Sequence, residues 1–90
     1  MGSPLRRPLL AGNWKMNLTL SQAAGLAGTV AGAAGSASGE VALCVPFTAI
    51  AAVAAALKGS AVRLGAQDLY WEASGAYTGE ISAPMLVEAG

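Results

Sequence analysis

The sequence has no histidine and a single cysteine, and only 11% of its 90 residues are charged. Without imidazole, and with Cys44 alone, the usual zinc constellations and an internal disulfide are both excluded. Five Lys+Arg balance five Asp+Glu, for a formal net charge of zero. No basic patch is therefore available to neutralise nucleic-acid phosphates or an anionic membrane surface. Neither G-x-G-x-x-G nor G-x-x-x-x-G-K-[ST] occurs, which removes the dinucleotide and P-loop readings. Serine nucleophile chemistry fails for want of a histidine base. A long uninterrupted apolar run is missing too. The run from Val41 to Leu57 is broken by Pro46 and Thr48 and is rich in alanine, so it reads as a strand followed by a helix, not a membrane span. At the start, Arg6-Arg7 precede Leu9, Leu10 and Ala11, but the run breaks at Gly12 and is too short for a signal peptide. The expected location is cytoplasmic.

What the sequence does have is apolar content, 54% of residues, enough to argue against disorder. Three strand-then-helix units can be read in series. Pro8 to Lys15 opens with an apolar run of the kind that suits a parallel strand. Thr19-x-x-Gln22 forms a capping box, and Leu20, Ala23, Leu26, Ala27, Val30, Ala33 and Ala34 recur at helical spacing as far as Gly35, a natural helix stop. The second unit is a strand from Glu40 to Phe47, a cap at Thr48, and a helix from Ala49 to Lys58 closed by Gly59. The third is a strand from Val62 to Gln67, followed by a long polar segment from Asp68 to Glu80. Ser82 then caps a further helix with Pro84 in its first turn. Alternation of this kind predicts parallel α/β architecture. Periodicity alone does not separate an open doubly wound sheet from a barrel, and a closed barrel needs about 250 residues.

In both architectures ligands bind beyond the carboxyl ends of the strands. Asn13 and Lys15 stand two apart there, so an extended backbone would send both side chains from one face. A carboxamide beside an ammonium suits a small anion carrying a carbonyl or hydroxyl; the plainer reading of Lys15 is a solvated lysine at a strand end. Glu40, Asp68, Glu72, Glu80 and Glu88 are scattered and assemble no acid/base pair, with Glu40 at the amino-terminal end of its strand. Cys44, in mid-strand, is expected to be buried and inert. Tyr70, Trp71, Tyr77 and Thr78 sit in the long third loop. Such a loop either meets a partner subunit or folds back on its own domain.

Three blocks carry a resemblance. Ala11-Gly-Asn-Trp-Lys-Met-Asn17 resembles the strand-one signature of the triosephosphate isomerase family. Val45-Pro-Phe-Thr-Ala49 is similar to that family's second βα loop. Leu64-Gly-Ala-Gln-Asp-Leu-Tyr-Trp-Glu-Ala-Ser-Gly-Ala-Tyr-Thr-Gly-Glu-Ile-Ser82 is similar to its third, interdigitating loop. Order and spacing match across essentially the whole chain.

The resemblance implies a TIM (β/α)8 barrel. It also implies interconversion of glyceraldehyde 3-phosphate and dihydroxyacetone phosphate, by proton transfer through an enediolate. No metal or organic cofactor is implied. A homodimer acting in glycolysis and gluconeogenesis is. By the same resemblance Asn13 would hydrogen-bond the phosphorylated triose, and Lys15 would stabilise negative charge on substrate and transition state. Met16, Tyr77, Thr78, Gly79 and Glu80 would belong to the dimer interface. There Thr78 would brace the partner's Asn13/Lys15 region, and Glu80 would pair with a partner arginine.

The family's histidine electrophile, glutamate base, lid loop and phosphate-binding glycines have no counterpart in residues 1–90. The chain thus reads as an incomplete barrel domain, strands one to three with the third helix cut short. It is expected to be inactive alone, to be poorly stable, and to leave one sheet face and two edges bare. Two other readings stay open: a small non-catalytic α/β module that binds a phosphorylated ligand, and a half-barrel piece that assembles with a complementary chain.

Overall fold

Three parallel strands, β1 (Leu9–Asn13), β2 (Glu40–Cys44) and β3 (Arg63–Gly65), pair in the order β1-β2-β3 in the computed structural model. It describes residues 6–90; Met1 to Leu5, and with them part of the targeting reading and the first residues of the expected domain, lie outside the described residues. Helices α1 (Leu20–Ala33), α2 (Ile50–Leu57) and α3 (Ala83–Ala89) follow the strands in turn, so the expected parallel α/β units are all present.

The pleat divides the strands into two faces. Leu43 and Val45 point toward the helices, where they join Val62, Ala23 and Ala27 of α1, and Ile50, Val53 and Leu57 of α2 in one buried cluster. Glu40, Ala42 and Cys44 alternate onto the other face. There they stand in register with Leu9, Ala11 and Asn13 of β1, while Cys44 is level with Gly65 of β3. No described element covers that second face, and Leu9 is 60% exposed. Among the described residues β1 and β3 pair only with β2, which leaves an open edge on each side.

Several local expectations are corrected. The strands are shorter than their apolar runs: β1 stops at Asn13, β2 at Cys44 before Pro46, which has no N–H to give a ladder, and β3 spans only Arg63–Gly65. Cys44 consequently ends its strand and is half-buried, not enclosed, because the face it points to has no cover. Gly35 is not a left-handed stop. The chain tightens from α1 into a 3-10 turn, Ala34–Ser36, and the Ser36 hydroxyl and Ala37 N–H satisfy the carbonyls of Ala33 and Ala34 at 3.0 Å each. Leu20 and Leu26 are 58% and 43% exposed; small residues, Ala23 and Ala27, make the buried stripe against α2.

Thr48 caps nothing through its side chain, since a 3-10 turn, Phe47–Ala49, leads into α2 instead. Lys58 is the cap residue beyond the last turn of α2, while Gly59, with φ of +83°, takes the left-handed position foreseen for it. At the start of α1 the Thr19 N–H donates to Gln22 Oε1 at 3.0 Å, one arm of the expected capping box. Ser82 precedes α3 with Pro84 in the first turn, yet its hydroxyl is buried and makes no hydrogen bond. Close backbone packing explains one glycine: a Cβ on Gly39 would collide with the Pro8 carbonyl, at the point where the Glu40 N–H donates to that oxygen.

Candidate active site at the carboxyl ends of the strands

Asn13, Cys44 and Gly65 form one level row where the strands end. Beyond it the Trp14 N–H donates to the Cys44 carbonyl at 3.0 Å and the Val45 N–H to that of Gly65 at 3.2 Å, so the rim stays tied after regular pairing stops. The Asn13 side chain then bends the chain. Its Oδ1 accepts the Lys15 N–H at 2.9 Å, the two-residue closure that asparagine favours, and Lys15 adopts φ of +53°. Leu18 follows with φ of +79°. Left-handed backbone at side-chain-bearing residues costs about 1–3 kcal/mol each and gathers at functional sites. The turn is fastened from both ends. Asn17 Nδ2 donates to the Trp14 carbonyl at 2.9 Å, and Gln67 Nε2 donates to the carbonyls of Lys15 and Cys44 at 3.0 Å each.

Asn13 and Lys15 therefore do not leave an extended strand side by side, because the strand ends between them. They do border one depression of about 390 Å³, together with Cys44, Ala66 and Gln67. A neighbouring hollow of about 250 Å³ shares Lys15 and adds Met16, Pro46, Phe47 and Asp68. All ion pairs among the described residues involve Glu40, at the opposite end of the sheet, so the Lys15 ammonium is left without a carboxylate. Glu40 Oε1 lies 3.1 Å from both Nε and Nη2 of Arg63 and 4.0 Å from Arg7. That cluster borders a cavity of about 400 Å³ with Ser60 and Ala61, remote from Asn13 and Lys15. The arginine side chains are 69% and 71% exposed, so these pairs contribute little to stability.

The third loop is pinned at its base, where Tyr70 bridges to Ser82 and its N–H donates to the Ile81 carbonyl at 2.8 Å. At its tip the Glu80 N–H donates to the Tyr77 carbonyl at 3.0 Å, with Gly79 at φ of +90° in the third position, the requirement of a type II turn. Tyr70 stacks on Trp71 at 4.9 Å and meets Tyr77 at 4.4 Å, so part of the aromatic surface packs on itself. Trp71 nonetheless stays 84% exposed and Met16 95%. Thr78, Gly79 and Glu80 are exposed. They line neither of the hollows that Lys15 borders.

Two further residues belong to this rim, Cys44 and Gln67. The apolar run around Cys44 gives no hint of which face lacks cover. Gln67 lies beyond the end of β3, and a polar amide just past an apolar run at the carboxyl end is the signal that marks it.

A family model described as triosephosphate isomerase matches residues 8–90. The chain is similar to triosephosphate isomerase of Moorella thermoacetica, 52% identical over 86 residues that cover 96% of this chain and 34% of the relative. Similarity to that of Synechocystis sp. is 51% over 90 residues, again 96% of this chain and 36% of the relative. In three dimensions it resembles the crystal structure of triosephosphate isomerase from Bartonella henselae, with a TM-score of 0.84 and 42% identity, over 94% of this chain and 35% of that one. The chain thus spans about a third of the length of the proteins it matches. Its three parallel βα units are part of a TIM barrel, and the chain belongs to the triosephosphate isomerase family.

Proposed function

We propose that the barrel to which these residues belong interconverts glyceraldehyde 3-phosphate and dihydroxyacetone phosphate, with Asn13 and Lys15 as its contribution to substrate binding. The observation that carries this reading is that Asn13 and Lys15 border one hollow at the carboxyl rim, where Lys15 has no carboxylate partner among the described residues. An enediolate bears negative charge on oxygen as the proton leaves carbon, and a fixed cation lowers that barrier more than it stabilises the neutral carbonyl. Asn13 Oδ1 is engaged by the Lys15 N–H, which leaves its amide NH2 to donate to a substrate oxygen.

Residues 1–90 contain no histidine. Glu40, Glu72, Glu80 and Glu88 line neither hollow that Lys15 borders. The histidine electrophile and the proton-abstracting glutamate that the family implies are therefore assigned to the rest of the barrel, and this stretch alone is not expected to turn over. Met16, Tyr77, Thr78, Gly79 and Glu80 form the proposed contact with a second subunit. The exposure of Met16 and Trp71, and the preset turn at Gly79, support that reading. No described helix is long and apolar enough to cross a membrane, and we place the protein in the cytoplasm, as suits a glycolytic and gluconeogenic enzyme.

A coupled assay tests the proposal. The 90-residue chain is expected to show no turnover above buffer, and turnover should appear when a chain supplying strands four to eight is added. Turnover by the short chain alone would reject its incompleteness. In an active enzyme carrying these residues, Lys15→Met should lower kcat/KM by at least about 100-fold; a loss under tenfold would remove Lys15 from the site.

A further inference from the structure

We infer that Gln67 is a positioning residue for Lys15, an inference that rests on the isomerase reading above. Lys15 lies outside regular secondary structure and in a left-handed conformation, so nothing in a strand or helix ladder holds it there. Its backbone is instead gripped on both sides. The Lys15 N–H is held by Asn13 Oδ1 at 2.9 Å, and the Lys15 carbonyl by Gln67 Nε2 at 3.0 Å. A carboxamide nitrogen carries two hydrogens. The second goes to the Cys44 carbonyl, also at 3.0 Å, the same oxygen that receives the Trp14 N–H.

Gln67 thereby joins the first loop to the end of β2 from a position just beyond β3, and fixes the backbone of a residue that borders the hollow. Glutamate has nearly the same shape but no hydrogen to give, and its oxygens would meet two carbonyl oxygens head-on. Gln67 acts through Lys15, and its own contact with substrate is not required.

The test uses an active enzyme carrying these residues: residues 1–90 joined to the remaining length of the Moorella thermoacetica relative. Gln67→Ala should lower kcat/KM for the triose phosphate by about 10- to 100-fold, the usual cost of a small misplacement at a reacting centre. Gln67→Glu should lower it further. The same Gln67→Ala change made on top of Lys15→Met should alter the residual rate less than threefold, because no ammonium is left to aim. Residual rates can be read from solvent deuterium entering the substrate. Equal losses in both backgrounds would mean a merely structural role and overturn the inference, as would a loss under threefold in the enzyme that retains Lys15. A parent enzyme that folds but never turns over triose phosphate overturns the isomerase reading first, and this one with it. If Gln67→Ala fails to melt cooperatively, Gln67→Met keeps the volume without the donor and is judged by the same two comparisons.

Discussion

The two faces of the sheet obey different rules. On one, Leu43, Val45 and Val62 are buried beneath α1 and α2. On the other, Leu9 is as exposed as many surface residues, and the polar groups at its two ends are what organise it, Glu40 with arginines at one and Asn13, Lys15 and Gln67 at the other. The contrast teaches that the buried packing of the described sheet lies on the helical side, whereas the opposite face meets no described element. Apolar burial stabilises only where both partners are present.

Substitutions on the two faces can break that contrast. The largest expected effect is from Leu43→Ala, which should cost about 2–5 kcal/mol. In a chain this small that is enough to remove most helical circular dichroism at 25 °C. Leu9→Ala, on the open face, should stay within about 0.5 kcal/mol and leave the spectrum of the 90-residue chain unchanged. Equal losses from the two would mean that the open face is packed against something in solution, which sedimentation would reveal as self-association.

A smaller effect sharpens the contrast at the carboxyl rim. Leu18 holds φ of +79°, so Leu18→Gly should raise stability by about 0.5–1 kcal/mol, the relief of left-handed strain less the added entropy of glycine. A lower urea midpoint in that variant would show that the Leu18 side chain, 38% exposed, contributes more packing than its conformation costs. The smallest effect belongs to the opposite end. Glu40→Gln should shift stability by no more than about 1 kcal/mol, and the shift should shrink as salt is raised from 0.05 to roughly 1 M, because exposed ion pairs are screened. A salt-independent loss would identify the Arg63 contact as a structural hydrogen bond.

The helical face was legible in the sequence. The run Val41-Ala-Leu-Cys-Val, the Thr19/Gln22 pair and Gly59 each carry a local signal with one physical meaning, and each element formed where that signal lay. What the sequence misplaced depended on neighbours. The strands end early because Asn13 captures the Lys15 N–H and because Pro46 cannot extend a ladder. Leu20 and Leu26 match helical spacing yet stand off the core, since α1 approaches α2 through alanines. The candidate site was legible as residue types, an amide and an ammonium at a strand end, but not as geometry. Left-handed backbone at Lys15 has no signature in a lysine codon, and the grip of Gln67 spans 52 positions along the chain.

Trp14 and Trp71 are the chain's two indoles, and they differ sharply in surroundings: Trp14 is wedged partway into the apolar cluster, while Trp71 lies almost entirely in water against Tyr70. Light emitted at longer wavelength therefore reports the third loop, and the bluer component reports the first. Iodide should extinguish the former and largely spare the latter. Docking of another molecule on Trp71 would shield its colour from the quencher without disturbing the other, so association and folding can be followed separately in one cuvette with no dye attached.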